Sequence, residues 1–225
     1  MLVYEKIKKR LKDNNVRHYS CDNVSAYIEP GEKDQLVLEV TDAFKVVIER
    51  LLIDQDNDPN SQDTARRLAK MYLNELFEGR FDPEPNATAF PNEGDDAYHG
   101  MLVVRADIKS VCSHHWQPVL GTAFIGILPS ESVLGLSKYI RIAQHMARRG
   151  TLQEELTTRI MRSIIKKTGS EDVGVYIQAT HGCVSCRGVN QANSLTQTIS
   201  LSGAFKDEIK VKEEFYNNIK IQQNV

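Results

Sequence analysis

Cysteine and histidine are concentrated at two places in this chain. "SVCSHHWQP", Ser110 to Pro118, holds Cys112, His114 and His115, and "HGCVSC" holds His181, Cys183 and Cys186. Thiolate and imidazole donors together favour zinc over harder cations. Cys112-x-x-His115 has ligand spacing, a weak signal alone that the second cluster strengthens. If Cys112, His115, Cys183 and Cys186 all bind, the result is a closed, structural Cys3His zinc. If only Cys112, His115 and Cys183 bind, a position stays open for water or substrate, and the zinc can be catalytic. Spacing permits both. The long stretch between the clusters exceeds a knuckle loop and favours a site assembled across a fold.

Backbone geometry constrains these residues further. In a regular strand Cys112 and His115 face opposite sides, so joint ligation requires a turn or bulge around Ser113 and His114. Pro118 disfavours a helix there. His181 and Cys183, two apart, are expected to point together along a strand, with Cys186 facing away unless the strand has ended. His114 and His181 would then lie beside the metal without ligating it, available to transfer protons. His99 and His145 read as ordinary packed or surface residues.

The elements that must position these groups follow from periodicity. A short helix is predicted near Tyr4–Lys12, and an amphipathic helix from about Gln35 through Leu52. A further helix is predicted from Thr64 to Phe77, with Gly79 as its stop. "DPEPNATAFPNEGDD" reads as an exposed loop. "MLVVRADIKSV" and "GTAFIGILP" read as strands on either side of the first cluster. "LSKYIRIAQHMARR" and "LQEELTTRIMRSIIKKT" read as two helices, and "DVGVYIQATHGCV" and "SLTQTISLSGAF" as paired strands. The order is a helical region, then β-β-α-α-β-β, an α+β pattern. The expected divisions are an N-terminal extension at 1–34, a helical region and loop at 35–100, a catalytic region at 101–206 and a tail at 207–225. Residues 1–30 and the tail carry no functional reading.

Composition excludes some classes of partner. A formal net charge of -2 offers no global basic surface, so no nucleic-acid partner is expected. No apolar run approaches the roughly 18 residues of a membrane span, and "MLVYEKIKKRLKDNN" lacks a secretory apolar core. The expected location is the cytoplasm, with no membrane partner. Four cysteines in a reducing compartment suit metal or thiol chemistry better than a disulfide scaffold.

Two stretches suggest recognition of an anion and a base. In "GLSKYIRIAQH", Ser137 is an N-cap candidate that places Lys138 and Arg141 in the first helical turn. Cations there oppose the helix dipole, a conflict that a bound phosphate resolves; solvated side chains are the plainer alternative. In "TLQEE", Thr151 and Glu154 have capping-box spacing, which favours a structural role for Glu154. Its carboxylate could otherwise accept two N–H bonds from a guanine edge. Arg187 suits phosphate through paired hydrogen bonds, against the plainer reading of a surface arginine.

Taken together, "CSHHWQPVLGTAFIGILP", "VLGLSKYIRI", "ARRGTLQEELTTRI" and "ATHGCVSCRGV" resemble the GTP cyclohydrolase I family. "DTARRLAKMYLNELFEG" is similar to that family's helical region and "SLSGAF" to its C-terminal strand. The resemblance spans roughly residues 35–206. It implies Cys112, His115 and Cys183 as zinc ligands, and His114 and His181 as catalytic histidines. It implies Gln153 and Glu154 as holders of guanine. Ser137, Lys138, Arg141, Arg187 and Arg67 match the substrate and triphosphate site. It further implies the tunnelling fold, with an antiparallel sheet and two packed helices after a helical N-terminal region, and a homodecamer with active sites at subunit interfaces. The implied reaction opens the imidazole ring of GTP at C8, releasing formate and giving 7,8-dihydroneopterin triphosphate. Two departures stand out. Ser113 replaces the glutamate of the usual C-E-H-H, which puts turnover and substrate choice in question. Ala65 replaces a proline before the Arg67 position, which bears on helix initiation. The competing readings are a relative on the same fold acting on another purine or pterin, and a non-catalytic module with a structural Cys3His zinc.

Overall fold

The computed structural model describes residues 1–224, which divide into two compact units, Met1–Pro83 and a second beginning at Glu84. The first unit is helical. Its elements are α1 (Val3–Asp13), α2 (Glu32–Arg50), α3 (Thr64–Met71), a π-helical turn at Tyr72–Leu76, and α4 (Glu78–Phe81). Val3, Ile7 and Leu11 recur every fourth residue, so α1 buries one stripe against Leu36, Val37, Ala69 and Leu73. Arg10 is ion-paired with Glu29 and Glu32, and Arg80 donates to the carbonyls of His18, Tyr19, Ser20 and Asp22. The helical run breaks at Phe77, where its end was expected, but Gly79 is not the stop; it lies inside α4.

The second unit is built on an antiparallel sheet. After β1 (Ala89–Pro91) come β2 (Leu102–Val111), β3 (Pro118–Ile127) and β4 (Ser132–Leu134). Then follow α5 (Leu136–Ala147), α6 (Gln153–Thr168), β5 (Val173–His181), a single turn α7 (Gly182–Ser185) and β6 (Thr196–Leu201). The chain ends with α8 (Ala204–Asp207) and α9 (Ile209–Gln223). The main sheet has the order β2-β3-β5-β6. β1 pairs with β4, so the proline-rich loop holds a short strand that the sequence did not reveal. The fold is the mixed α+β arrangement of the tunnelling fold, helices first and antiparallel sheet after. Among the described residues no helix is long and apolar enough to cross a membrane.

Both sheet faces carry apolar side chains, for different partners. Ala106, Ile108, Ala123, Ile125, Val175 and Ile177 pack on Tyr139, Ile142, Leu156 and Ile160 of α5 and α6. On the other face Phe124 and Tyr176 meet Phe205, Phe215 and Ile219 from α8 and α9. Gly126 and Gly174 are register partners beneath those rings. A Cβ at either would stand 2.7 Å from Phe205, so two glycines in the paired strands make room for the aromatic cover.

Register brings the distant sequence clusters together. Val111 pairs with Pro118 across the β2–β3 hairpin, and Val119 pairs with His181, so the hairpin loop and the end of β5 share one end of the sheet. The α5–α6 junction is tied to the same end. The Thr151 amide donates to the Val111 carbonyl at 3.1 Å, and Ser110 Oγ donates to the Ala147 carbonyl at 2.6 Å.

Candidate metal centre and its surroundings

The predicted bend is present. β2 stops at Val111, and Cys112 to Gln117 form a turn in which the Trp116 amide donates to the Cys112 carbonyl and the Cys112 amide to the Gln117 carbonyl, both at 2.9 Å. Trp116 adopts φ +53°, uncommon for a bulky side chain. This turn lets Cys112 and His115 serve one centre from a single hairpin.

The second cluster is positioned differently from the strand expectation. β5 ends at His181, and Cys183 lies on the α7 turn, so alternation along a strand does not align His181 with Cys183. The turn itself delivers Cys183. Gly182 eases the fit, since a Cβ there would sit tightly, 3.2 Å from the Pro118 carbonyl oxygen and 3.3 Å from its ring. The donor atoms of Cys112, His115 and Cys183 lie within 4.8 Å of one another, with Cys112 buried and His115 exposed. They are positioned to coordinate a metal ion. Cys186 follows α7 as its exposed C-cap and is not one of this group.

The trio fits zinc. Two thiols and an imidazole are its preferred donors, and bonds of about 2.3 Å to a shared ion would hold sulfurs about 3.8 Å apart, a separation that the 4.8 Å bound on the donor atoms admits. Burial, and then the neighbouring Cys112 thiol, push the Cys183 thiol above its ordinary value, partly offset by Arg187. Two adjacent thiolates repel, and a divalent cation between them removes that penalty.

The two further histidines differ in setting. His114 is exposed, its ring edge-on to His115 at 6.2 Å. His181 is half-buried, and burial holds its imidazole below the ordinary histidine value, with Glu154 opposing. Its Nε2 lies 2.7 Å from Gln153 Oε1. Gln153 is buried, and its Nε2 reaches the carbonyls of Ile177 and Thr196 and the Thr198 hydroxyl, each at 3.1 Å. Thr198 was not singled out from sequence. The signal was present in "LTQTISLS": Thr196, Thr198 and Ser200 alternate and so share a face, and Thr198 and Ser200 bond hydroxyls of α6, Thr157 at 2.6 Å and Thr158 at 3.1 Å.

Both helix-start expectations are corrected. The N-cap of α5 is Gly135, not Ser137; Ser137 and Lys138 are in the first turn and Arg141 in the second. No acidic residue offsets Lys138 in that first turn. The N-cap of α6 is Leu152, so Thr151 precedes the cap and no capping box forms; buried Thr151 donates its hydroxyl to the Leu152 carbonyl instead. Glu154 is therefore free of the cap and exposed. Arg187 is exposed just beyond α7. Arg67 belongs to the first unit, on α3, where it pairs with Asp63 at 3.3 Å.

Comparison with known proteins agrees with this centre. The family model described as GTP cyclohydrolase I matches residues 40–220. GTP cyclohydrolase 1 of Haemophilus ducreyi is 34% identical over 189 residues, covering 84% of this chain and 86% of that protein. GTP cyclohydrolase 1 of Aeromonas salmonicida is 37% identical over 179 residues, covering 79% and 81%. That of Yersinia pseudotuberculosis is 38% identical over 165 residues, covering 72% and 74%. A match that spans both the helical unit and the sheet that carries the Cys2His cluster places this chain in the GTP cyclohydrolase I family.

Proposed function

We propose that this chain carries out the GTP cyclohydrolase I reaction, hydrolysing the imidazole ring of GTP at C8 to formate and 7,8-dihydroneopterin triphosphate. The observation that carries the reading is the donor trio of Cys112, His115 and Cys183, with His181, two residues before Cys183, held by Gln153. Cys112, His115 and Cys183 would hold the zinc, which would supply a Lewis acid able to activate water near neutral pH. His181 and His114 move protons during ring opening and deformylation. Glu154, exposed rather than engaged in a cap, accepts N–H bonds from the guanine edge. Ser137, Lys138, Arg141 and Arg187 hold the triphosphate, and Arg67 is a further triphosphate-contacting arginine. The working form is a cytoplasmic homodecamer with active sites at subunit interfaces.

The test is to incubate zinc-loaded protein with GTP, following pterin fluorescence and formate. Ser113, standing in the turn where the family's glutamate is expected, favours a second reading: the same chemistry on another purine or pterin. Zinc-loaded protein that binds GTP yet forms neither product would select that second reading. The anion site has its own check. Lys138→Ala or Arg141→Ala should weaken GTP binding by about ten- to a hundredfold, the range of a charge-assisted hydrogen bond. Guanosine binding, measured by the same calorimetry, should hardly change; equal loss for both ligands counts against a phosphate site.

A further inference from the structure

We infer that Gln153 is a positioning residue that acts through His181, fixing which ring nitrogen carries the proton, and does not hold the substrate. The argument starts from what each end of the amide faces. One end meets the carbonyls of Ile177 and Thr196 and the hydroxyl of Thr198. Carbonyl oxygens only accept, so that end must be the NH2 group. The opposite end, facing His181 at 2.7 Å, is then the amide oxygen, which also only accepts. His181 Nε2 must therefore carry a hydrogen, and in the neutral ring Nδ1 holds the lone pair. Nδ1 is the atom left to take a proton from a reacting group and return it.

The same contacts leave Gln153 little capacity for a substrate. It is buried at the first position of α6, with two N–H donors facing three acceptors and its oxygen engaged by His181. Its neighbour Glu154 is exposed and is the residue of the pair with lone pairs to offer a ligand. The anchor is itself braced, since Thr198 Oγ1 also bonds Thr157 Oγ1 at 2.6 Å, and Thr157 donates to the Gln153 carbonyl at 2.7 Å. β5, β6 and α6 thus set one imidazole.

The kinetic part of the test rests on the proposed reaction; the spectroscopic part does not. In zinc-loaded protein with 15N-labelled histidine, signals lost in His181→Ala identify that ring. The expected pattern is a neutral ring protonated at Nε2, replaced by a mixture of tautomers in Gln153→Met. A neutral ring protonated at Nδ1 in the native protein overturns the inference. In turnover, Gln153→Met should lower kcat by about tenfold or more, the scale of losing an orienting partner, with KM unchanged. In a His181→Ala background it should cost nothing further. A raised KM with unchanged kcat, or full additivity with His181→Ala, assigns Gln153 to the substrate instead. If Gln153→Met does not fold, the native spectrum decides alone, since a neutral His181 ring protonated at Nδ1 overturns the inference. Native protein inactive on GTP but with the expected tautomer would refute the reaction and leave the positioning role standing.

Discussion

Cys183→Ser is expected to bring zinc content after dialysis from about one ion per chain to near zero, and to cut turnover by more than about a hundredfold. Loss of even an outer partner of a ligand costs about 10–100-fold in metal affinity or activity. Loss of a ligand from a set of three must exceed that. Serine keeps the size but replaces a soft thiolate by a hydroxyl that zinc does not select. Nor is a replacement donor at hand, because Cys186 lies on the exposed end of α7 outside the donor group. The paired variant Cys186→Ser should therefore keep full zinc content and activity. Metal analysis by atomic emission on both variants decides the matter, with circular dichroism to show that each is folded. Equal zinc loss from the two would mean that Cys186 closes the site as a fourth ligand, and the catalytic reading would fail.

How much of this was legible in the sequence depends on whether local or long-range geometry set each residue. The Cys112–His115 bend could be deduced, because two ligands three apart cannot share one face of a strand. The antiparallel sheet and the two helices on it followed from alternation and periodicity. Cys183 was a candidate ligand by residue type and clustering, but its expected place on a strand beside His181 was wrong: nothing in "THGCVSC" marks where pairing with β3 ends and a helical turn begins. Ser137 and Thr151 have cap-forming side chains, yet Gly135 and Leu152 take the caps. At α6 a tertiary tie bears on this, since the Thr151 amide is held by Val111 before the helix starts. Gln153 shows the limit most plainly. Its type and place suited a ligand contact, and only the positions of three acceptors on β5 and β6 reveal a side chain already engaged.

The C-terminal helix, for which the sequence supported no reading, leads to the largest expected effect on stability. Phe215→Ala should cost about 3–5 kcal/mol, the usual range for removing a buried phenylalanine. Phe215 is 0% exposed, meets Phe205 edge-on with ring centroids 5.2 Å apart, and lies over Gly126 and Gly174. Because those glycines supply no side chain, little nearby can collapse into the space the ring leaves, so the cost should fall toward the upper end of the range. For a chain of this size that corresponds to a fall of roughly 6–20 °C in the thermal midpoint. Ile221→Ala on the same helix, 63% exposed, should stay within about 0.5 kcal/mol. Protein and zinc concentrations must be held fixed, since metal binding and association both shift the midpoint. The comparison also separates two roles for α9. Were it a loosely attached appendage, both variants would melt with the native chain. If it completes the core, Phe215→Ala melts early while the donor trio, carried on the β2–β3 turn and on α7 at the sheet end away from Gly126 and Gly174, still binds zinc below the transition.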